Sequence, residues 1–145
     1  MSIAPNLHEQ MRTVVGVAPV AIGTTGTGQV GKVIDTLGYA GIEFVIAYGS
    51  VTSSTAVYTV TVKEGDVTGT MTSVADADLI GTEALAGLAA GARTSGSGKN
   101  VTKRIGYNGR KRYVQCGVKS TATAGTLVSI TGVLHTPRYA PAANP

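Results

Sequence analysis

Residues 101–119 read Val-Thr-Lys-Arg-Ile-Gly-Tyr-Asn-Gly-Arg-Lys-Arg-Tyr-Val-Gln-Cys-Gly-Val-Lys, two extended runs on either side of Asn108-Gly109. Asn-Gly is the pair favoured in a two-residue type I′ turn, because that turn needs positive φ at both central positions. The stretch therefore predicts a β-hairpin in which Tyr107 faces Arg110, Gly106 faces Lys111, Ile105 faces Arg112, Arg104 faces Tyr113 and Lys103 faces Val114. No like charges stand opposite one another in that register. Arg104 over Tyr113 and Arg110 beside Tyr107 would each gain about 0.5–1 kcal/mol of cation–π attraction. Val101, Val114, Cys116 and Val118 share one face, so the base of the ribbon enters the core while its basic tip projects. Cys116 reads as a small buried apolar residue.

Outward from this ribbon the pattern stays extended. Residues 42–48 alternate, with Ile42, Phe44, Ile46 and Tyr48 on one face, and residues 56–63 do the same with Tyr58, Val60 and Val62. The linker 49–55 allows these two strands to pair antiparallel, and Glu64-Gly65-Asp66 ends the second. Residues 12–22 are β-branched and apolar, and Pro19 within them marks a bulge or an edge position. The Gly-rich stretch 23–31 is a flexible connection, 32–35 a short extended piece, and 126–135 the last strand. Between 67 and 98 the pattern weakens. There Thr82 is placed as the N-cap of a short helix, with Glu83 in its first turn and Gly91 as its stop.

A length of 145 residues suits one compact domain, and 43% apolar residues with only 5% aromatic and no Trp provide a modest core. Charged residues reach only 14%, while Gly, Thr and Val are abundant, which favours β-structure over long helices. The expected architecture is all-β, an antiparallel β-sandwich or jelly-roll-like barrel with an extended N-terminal arm. The arm covers residues 1–11, the single β-domain 12–139 and a tail 140–145. No run of roughly 18 apolar residues occurs, and the start of the chain lacks the basic and apolar regions of a signal peptide, so the expectation is a soluble protein made in the cytoplasm and not a membrane protein.

Charge is unevenly distributed. Between residues 32 and 83 stand Asp35, Glu43, Glu64, Asp66, Asp76, Asp78 and Glu83 against Lys32 and Lys63. From residue 93 onward there are only bases: Arg93, Lys99, Lys103, Arg104, Arg110, Lys111, Arg112, Lys119 and Arg138, and the whole chain carries +4. Such asymmetry points to a charged partner, which composition leaves open among nucleic acid, an acidic protein surface and the acidic half of a second copy.

The chemistry-bearing motifs are weak. Gly26-Thr27-Gly28-Gln29-Val30-Gly31 matches the dinucleotide fingerprint, yet a β-branched run follows it where a phosphate-binding helix is required. Gly96-Ser97-Gly98-Lys99-Asn100 lacks both the first Gly and the Ser/Thr of a phosphate loop. Asp76 and Asp78 read as acidic turn residues, and His135 as structural. The lone Cys116 with His8 and His135 offers no metal cluster. The expectation is a non-enzymatic protein with no catalytic residues, no metal, no cofactor and no small-molecule substrate. The six bases from Lys99 to Arg112, with Tyr107 among them, can follow a phosphate backbone, but the acids of the preceding half favour protein–protein contact over nucleic acid.

Several stretches together resemble a family of small tailed-bacteriophage virion proteins, the head decoration or cement proteins. They are Val33-Ile34-Asp35-Thr36-Leu37-Gly38-Tyr39 leading into the Phe44 strand, Tyr58-Thr59-Val60 ending at Glu64-Gly65-Asp66, and Asp78-Leu79-Ile80-Gly81. More distinctive are Lys103 to Val114 and Leu134-His135-Thr136-Pro137-Arg138-Tyr139. The resemblance implies a β-module that binds the outer capsid lattice beside the major capsid protein, as a homo-oligomer and commonly a trimer, located on the capsid surface of the virion. The interface candidates are Ile3, Pro5 and Leu7 of the arm, with Lys103, Arg104, Tyr107, Arg110, Lys111 and Arg112 of the basic ribbon. The alternatives are a tail or fibre β-module, or a small basic nucleic-acid-binding protein.

Overall fold

The computed structural model of the chain describes residues 6–23, 28–122 and 124–138. The alternating runs form two antiparallel sheets packed face to face, the sandwich expected from the sequence. The first sheet contains β1 (Met11–Gly23), β9 (Ala124–Pro137), β3 (Tyr39–Tyr48), β7 (Thr102–Tyr107) and β6 (Leu79–Ile80), in that spatial order. The second contains β2 (Ile34–Asp35), β8 (Tyr113–Ser120), β4 (Tyr58–Val67) and β5 (Thr70–Ser73), also in spatial order.

The inward faces follow from the two-residue period. Ile42, Phe44, Ile46 and Tyr48 of β3 are buried against Tyr58, Val60 and Val62 of β4 and against Val114, Cys116 and Val118 of β8. Phe44 is fully enclosed, and Gly132 of β9 lies opposite it, where a Cβ would stand 2.9 Å from Ile34 Cδ1 and 3.0 Å from Ile42 Cδ1. The buried phenols have partners. Tyr48 donates to the Ala86 carbonyl at 2.9 Å, and the Tyr58 hydroxyl lies 2.7 Å from Thr126 Oγ1. Their rings meet edge to face with centroids 5.9 Å apart, a favoured aromatic geometry. Strand β1 is an edge, and its register shifts between Val17 and Val20, which accommodates Pro19 as both the bulge and the edge that its sequence predicted.

Residues 101–119 form no hairpin. Strand β7 pairs with β3 and β6 in the first sheet, whereas β8 pairs with β2 and β4 in the second, so residues 108–112 cross from one layer to the other. Neither Asn108 nor Gly109 has positive φ, so the type I′ turn is not formed. Gly109 serves another purpose, because a Cβ there would lie 2.5 Å from Cζ of Tyr107, whose ring the loop folds over. The linker 49–55 likewise joins strands of opposite sheets, so β3 and β4 face each other across the core and do not pair.

Three further expectations change. Residues 7–10 form a one-turn helix, α1 (Leu7–Gln10), capped by the Asn6 side chain, which accepts from the His8 N–H at 3.1 Å. The helix α2 (Glu83–Ala86) starts on Thr82 as its sequence predicted, but it stops at Gly87, not Gly91. There Leu88 exchanges backbone hydrogen bonds with Tyr58, which commits the chain to an extended course. Within the Gly-rich connection, residues 24–27 lie outside the described residues, while Gln29 pairs with Val118 and Gly31 is buried against Cys116, a strap laid over β8. Strands β5 and β6, of four and two residues, were too short to stand out in the pattern.

Candidate functional site

One end of the sandwich gathers nearly every stretch that carried the resemblance. The starts of β1, β3 and β8 and the ends of β4, β7 and β9 all lie there, as the registers Met11 with His135, Gly41 with His135, Ile42 with Tyr107 and Gly65 with Tyr113 require. Helix α1 packs at the same end against β1 and β9, with Leu7 68% exposed. Ile3 and Pro5 lie outside the described residues.

The crossover 108–112 is the centre of this end, and it is tied down on three sides. The Tyr107 hydroxyl donates to Glu64 Oε2 and accepts the Lys111 backbone N–H at 3.0 Å. Asn108 donates its backbone N–H to the Asp78 carbonyl at 2.8 Å. Thr36 donates both its backbone N–H and its hydroxyl to the Arg112 carbonyl, at 2.9 and 2.7 Å. The basic tip therefore does not project as a ribbon.

Two of its charges are neutralised within the chain. Arg112 makes a bidentate pair with Asp35 at 2.9 and 2.7 Å, and Lys111 reaches Asp66 at 2.5 Å. The hydrogen bond from Arg112 holds the Asp35 carboxyl below the usual carboxylate range, and the same pairing raises Arg112. Lys111 is raised by its bond to Asp66. Part of the acidic half thus meets the basic half inside one molecule. The guanidinium of Arg112 also lies 5.1 Å from the Tyr113 ring centroid, which replaces the two cation–π pairs predicted for Arg104 and Arg110.

The remaining candidates separate. Tyr107 is only 3% exposed, so it supports the loop and does not offer its ring to a partner. Burial pushes its phenol well up, with the hydrogen bond to Glu64 adding to the effect. Lys103 and Arg104 are neighbours on β7, aligned with Ile46 and Val45, so they leave opposite faces of the first sheet. Arg110 is exposed on the tip and makes no salt bridge with a described residue.

Arg110 opens onto a cleft of about 350 Å³ lined also by residues 36–41, Tyr107, Gly109, Lys111, Arg112 and Arg138. Arg138, part of the C-terminal motif but not one of the interface candidates, is fixed there through its backbone N–H to the Gly38 carbonyl at 2.8 Å, with Gly38 at φ +94° in the turn. Its signal was its place after Thr136-Pro137. Thr136 itself holds φ +53°, a left-handed conformation rare for a β-branched residue. Among the described residues no acid lines the cleft. Among the described residues no three His, Cys, Asp or Glu side chains are grouped to hold a metal, and no helix is long and apolar enough to cross a membrane. The one thiol, Cys116, is buried, and burial pushes it up to about 12.

No protein-family model matches the sequence, and no curated protein matches it significantly. Among solved structures the chain is similar to the SPBc2 prophage-derived protein YomS, at 14% identity over 87% of this chain and 93% of that one, with a TM-score of 0.47. It is also similar to the CBM22-1 xylan-binding domain of Paenibacillus barcinonensis Xyn10C, at 17% identity, 86% of each chain and a TM-score of 0.46. A third similarity is to the CBM22-1 and GH10 modules of Clostridium thermocellum xylanase 10B, at 10% identity and a TM-score of 0.48, covering 94% of this chain and 28% of that one. At these identities and TM-scores the similarities assign neither a ligand nor an activity.

Proposed function

We propose that this chain is a structural protein of a tailed-bacteriophage virion, a decoration or cement protein that docks on the outside of the capsid lattice through the basic end of its sandwich. The supporting observation is convergence. Residues 33–39, 64–66, 78–81, 103–114 and 134–138 are far apart in sequence, carry the resemblance, and meet at that one end with α1 beside them. Lys111 and Arg112 serve the fold through Asp66 and Asp35, whereas exposed Arg110 pairs with no described acid and is left for a partner.

A filled head is strained by internal DNA pressure, and a clamp spanning neighbouring subunits adds buried area at each junction. Many modest contacts then sum through multivalency. The partner in this reading is the major capsid protein, and the chain acts as a homo-oligomer, a trimer by resemblance. The test is co-sedimentation of the purified protein with expanded, undecorated capsids of the parent particle. Saturation at a fixed ratio to the major capsid protein supports the reading, and no binding to any head form overturns it.

A further inference from the structure

We propose that the cleft between Arg110 and Arg138 binds a carboxylate-bearing extended segment of a protein partner, with the two guanidiniums as the recognition groups. This rests on the docking reading above and names the chemistry of what is docked. Of the four bases lining the cleft, Lys111 and Arg112 are already engaged by Asp66 and Asp35, which fix the loop. Arg110 and Arg138 make no salt bridge with a described residue, so among the described residues the positive charge of the cleft exceeds the negative charge paired to it. Guanidinium groups favour carboxylates through paired, parallel hydrogen bonds.

The same cleft also carries apolar surface. Leu37, 63% exposed, lines the cleft with Tyr39, Ala40 and Gly41, so a side chain flanking the carboxylate finds apolar surface. A volume of about 350 Å³ admits a few residues. Nucleic acid fits less well, because neutralising a phosphate backbone needs cations in a row. The other bases are scattered. Lys103 and Arg104 leave opposite faces of β7, and Lys63 and Lys119 lie on the outward face of the second sheet.

The experiment is fluorescence anisotropy of a fluorescein-labelled tetraglutamate peptide titrated with the full chain at about 50 mM and about 500 mM salt, concentrations that bracket weak and strong screening. Tetraglutamine and a thymidine tetranucleotide are the comparison probes. The expected result is saturable tetraglutamate binding at low salt, weakened about fivefold by each of Arg110→Gln and Arg138→Gln and unchanged by Lys119→Gln. Both arginines are exposed, and unchanged thermal unfolding midpoints verify that the variants fold. Equal binding by all variants would reduce the effect to net charge and overturn the proposal. Tighter binding of the tetranucleotide with the same losses would overturn it in favour of phosphate. If tetraglutamate fails to bind while the protein still saturates capsids, the cleft chemistry is wrong and the decoration reading stands. If the peptide binds the cleft and capsids do not bind, the reverse holds.

Discussion

The Tyr107 hydroxyl sits between the Glu64 carboxylate, to which it donates, and the Lys111 backbone N–H, which it accepts, so one phenol holds the inter-sheet crossover against the end of β4. The loop is therefore a preformed part of the fold, with the backbone on either side of Arg110 tied down. Preorganisation of this kind lowers the ordering cost of binding.

Tyr107→Phe removes both bonds while keeping the ring that packs over Gly109. The expected loss is about 1–2 kcal/mol, measured by urea unfolding, because a nearly buried bond to a charged acceptor is lost. An unchanged midpoint would show that the crossover is held by its other ties.

Gly31→Ala tests the strap over β8. A Cβ at this position overlaps the Cys116 carbonyl oxygen, so the strap must lift, losing the Gln29 pairing with Val118 and the Gln115 bond to the Gly31 carbonyl. The cost expected is about 1–3 kcal/mol, seen as a lower thermal midpoint.

Cys116 makes the fold sensitive to alkali. In the unfolded chain the thiol ionises near its ordinary 9.0, whereas in the core it stays protonated to about 12. Stability is therefore fully present below pH 9 and declines as pH rises from there toward 12, at about 1.4 kcal/mol per pH unit from this group. Cys116→Ala should reduce that slope, leaving the part due to Tyr48 and Tyr107, whose phenols are also raised. At pH 8 the thiol should react with an aromatic disulfide reagent only as fast as the protein opens.

On the acid side the sign reverses. The folded Asp35 carboxyl is held below its ordinary 3.8 by Arg112, so its contribution is present above that value and is lost as pH falls through the lower folded value. Asp35→Asn should flatten this acid limb in a pH series of unfolding midpoints. The pair is exposed, so added salt should shrink the difference between wild type and variant.

The buried faces were legible because burial of one side of a strand is a local property. Alternation at Ile42, Phe44, Ile46 and Tyr48, and at Tyr58, Val60 and Val62, names the inward residues whichever neighbours the strands take. Pairing is not local. Asn108-Gly109 suits a tight turn, yet the site of Glu64 beneath Tyr107 and the pairing of β7 with β3 outweigh that preference. The place of Arg138 at the site was not legible because its neighbours in the cleft come from residues 36–41 and 107–112, joined only by the completed sandwich. Lys111 and Arg112 looked free for the same reason, since Asp66 and Asp35 approach them only after folding.

The most direct measurement is cryo-electron microscopy of expanded capsids saturated with the protein. The expected result is density at regular sites on the outer shell, with α1, residues 36–41 and the 108–112 crossover turned toward the capsid subunits. Density confined to the tail, or modules attached by the opposite end of the sandwich near residues 49–57 and 120–122, would contradict it.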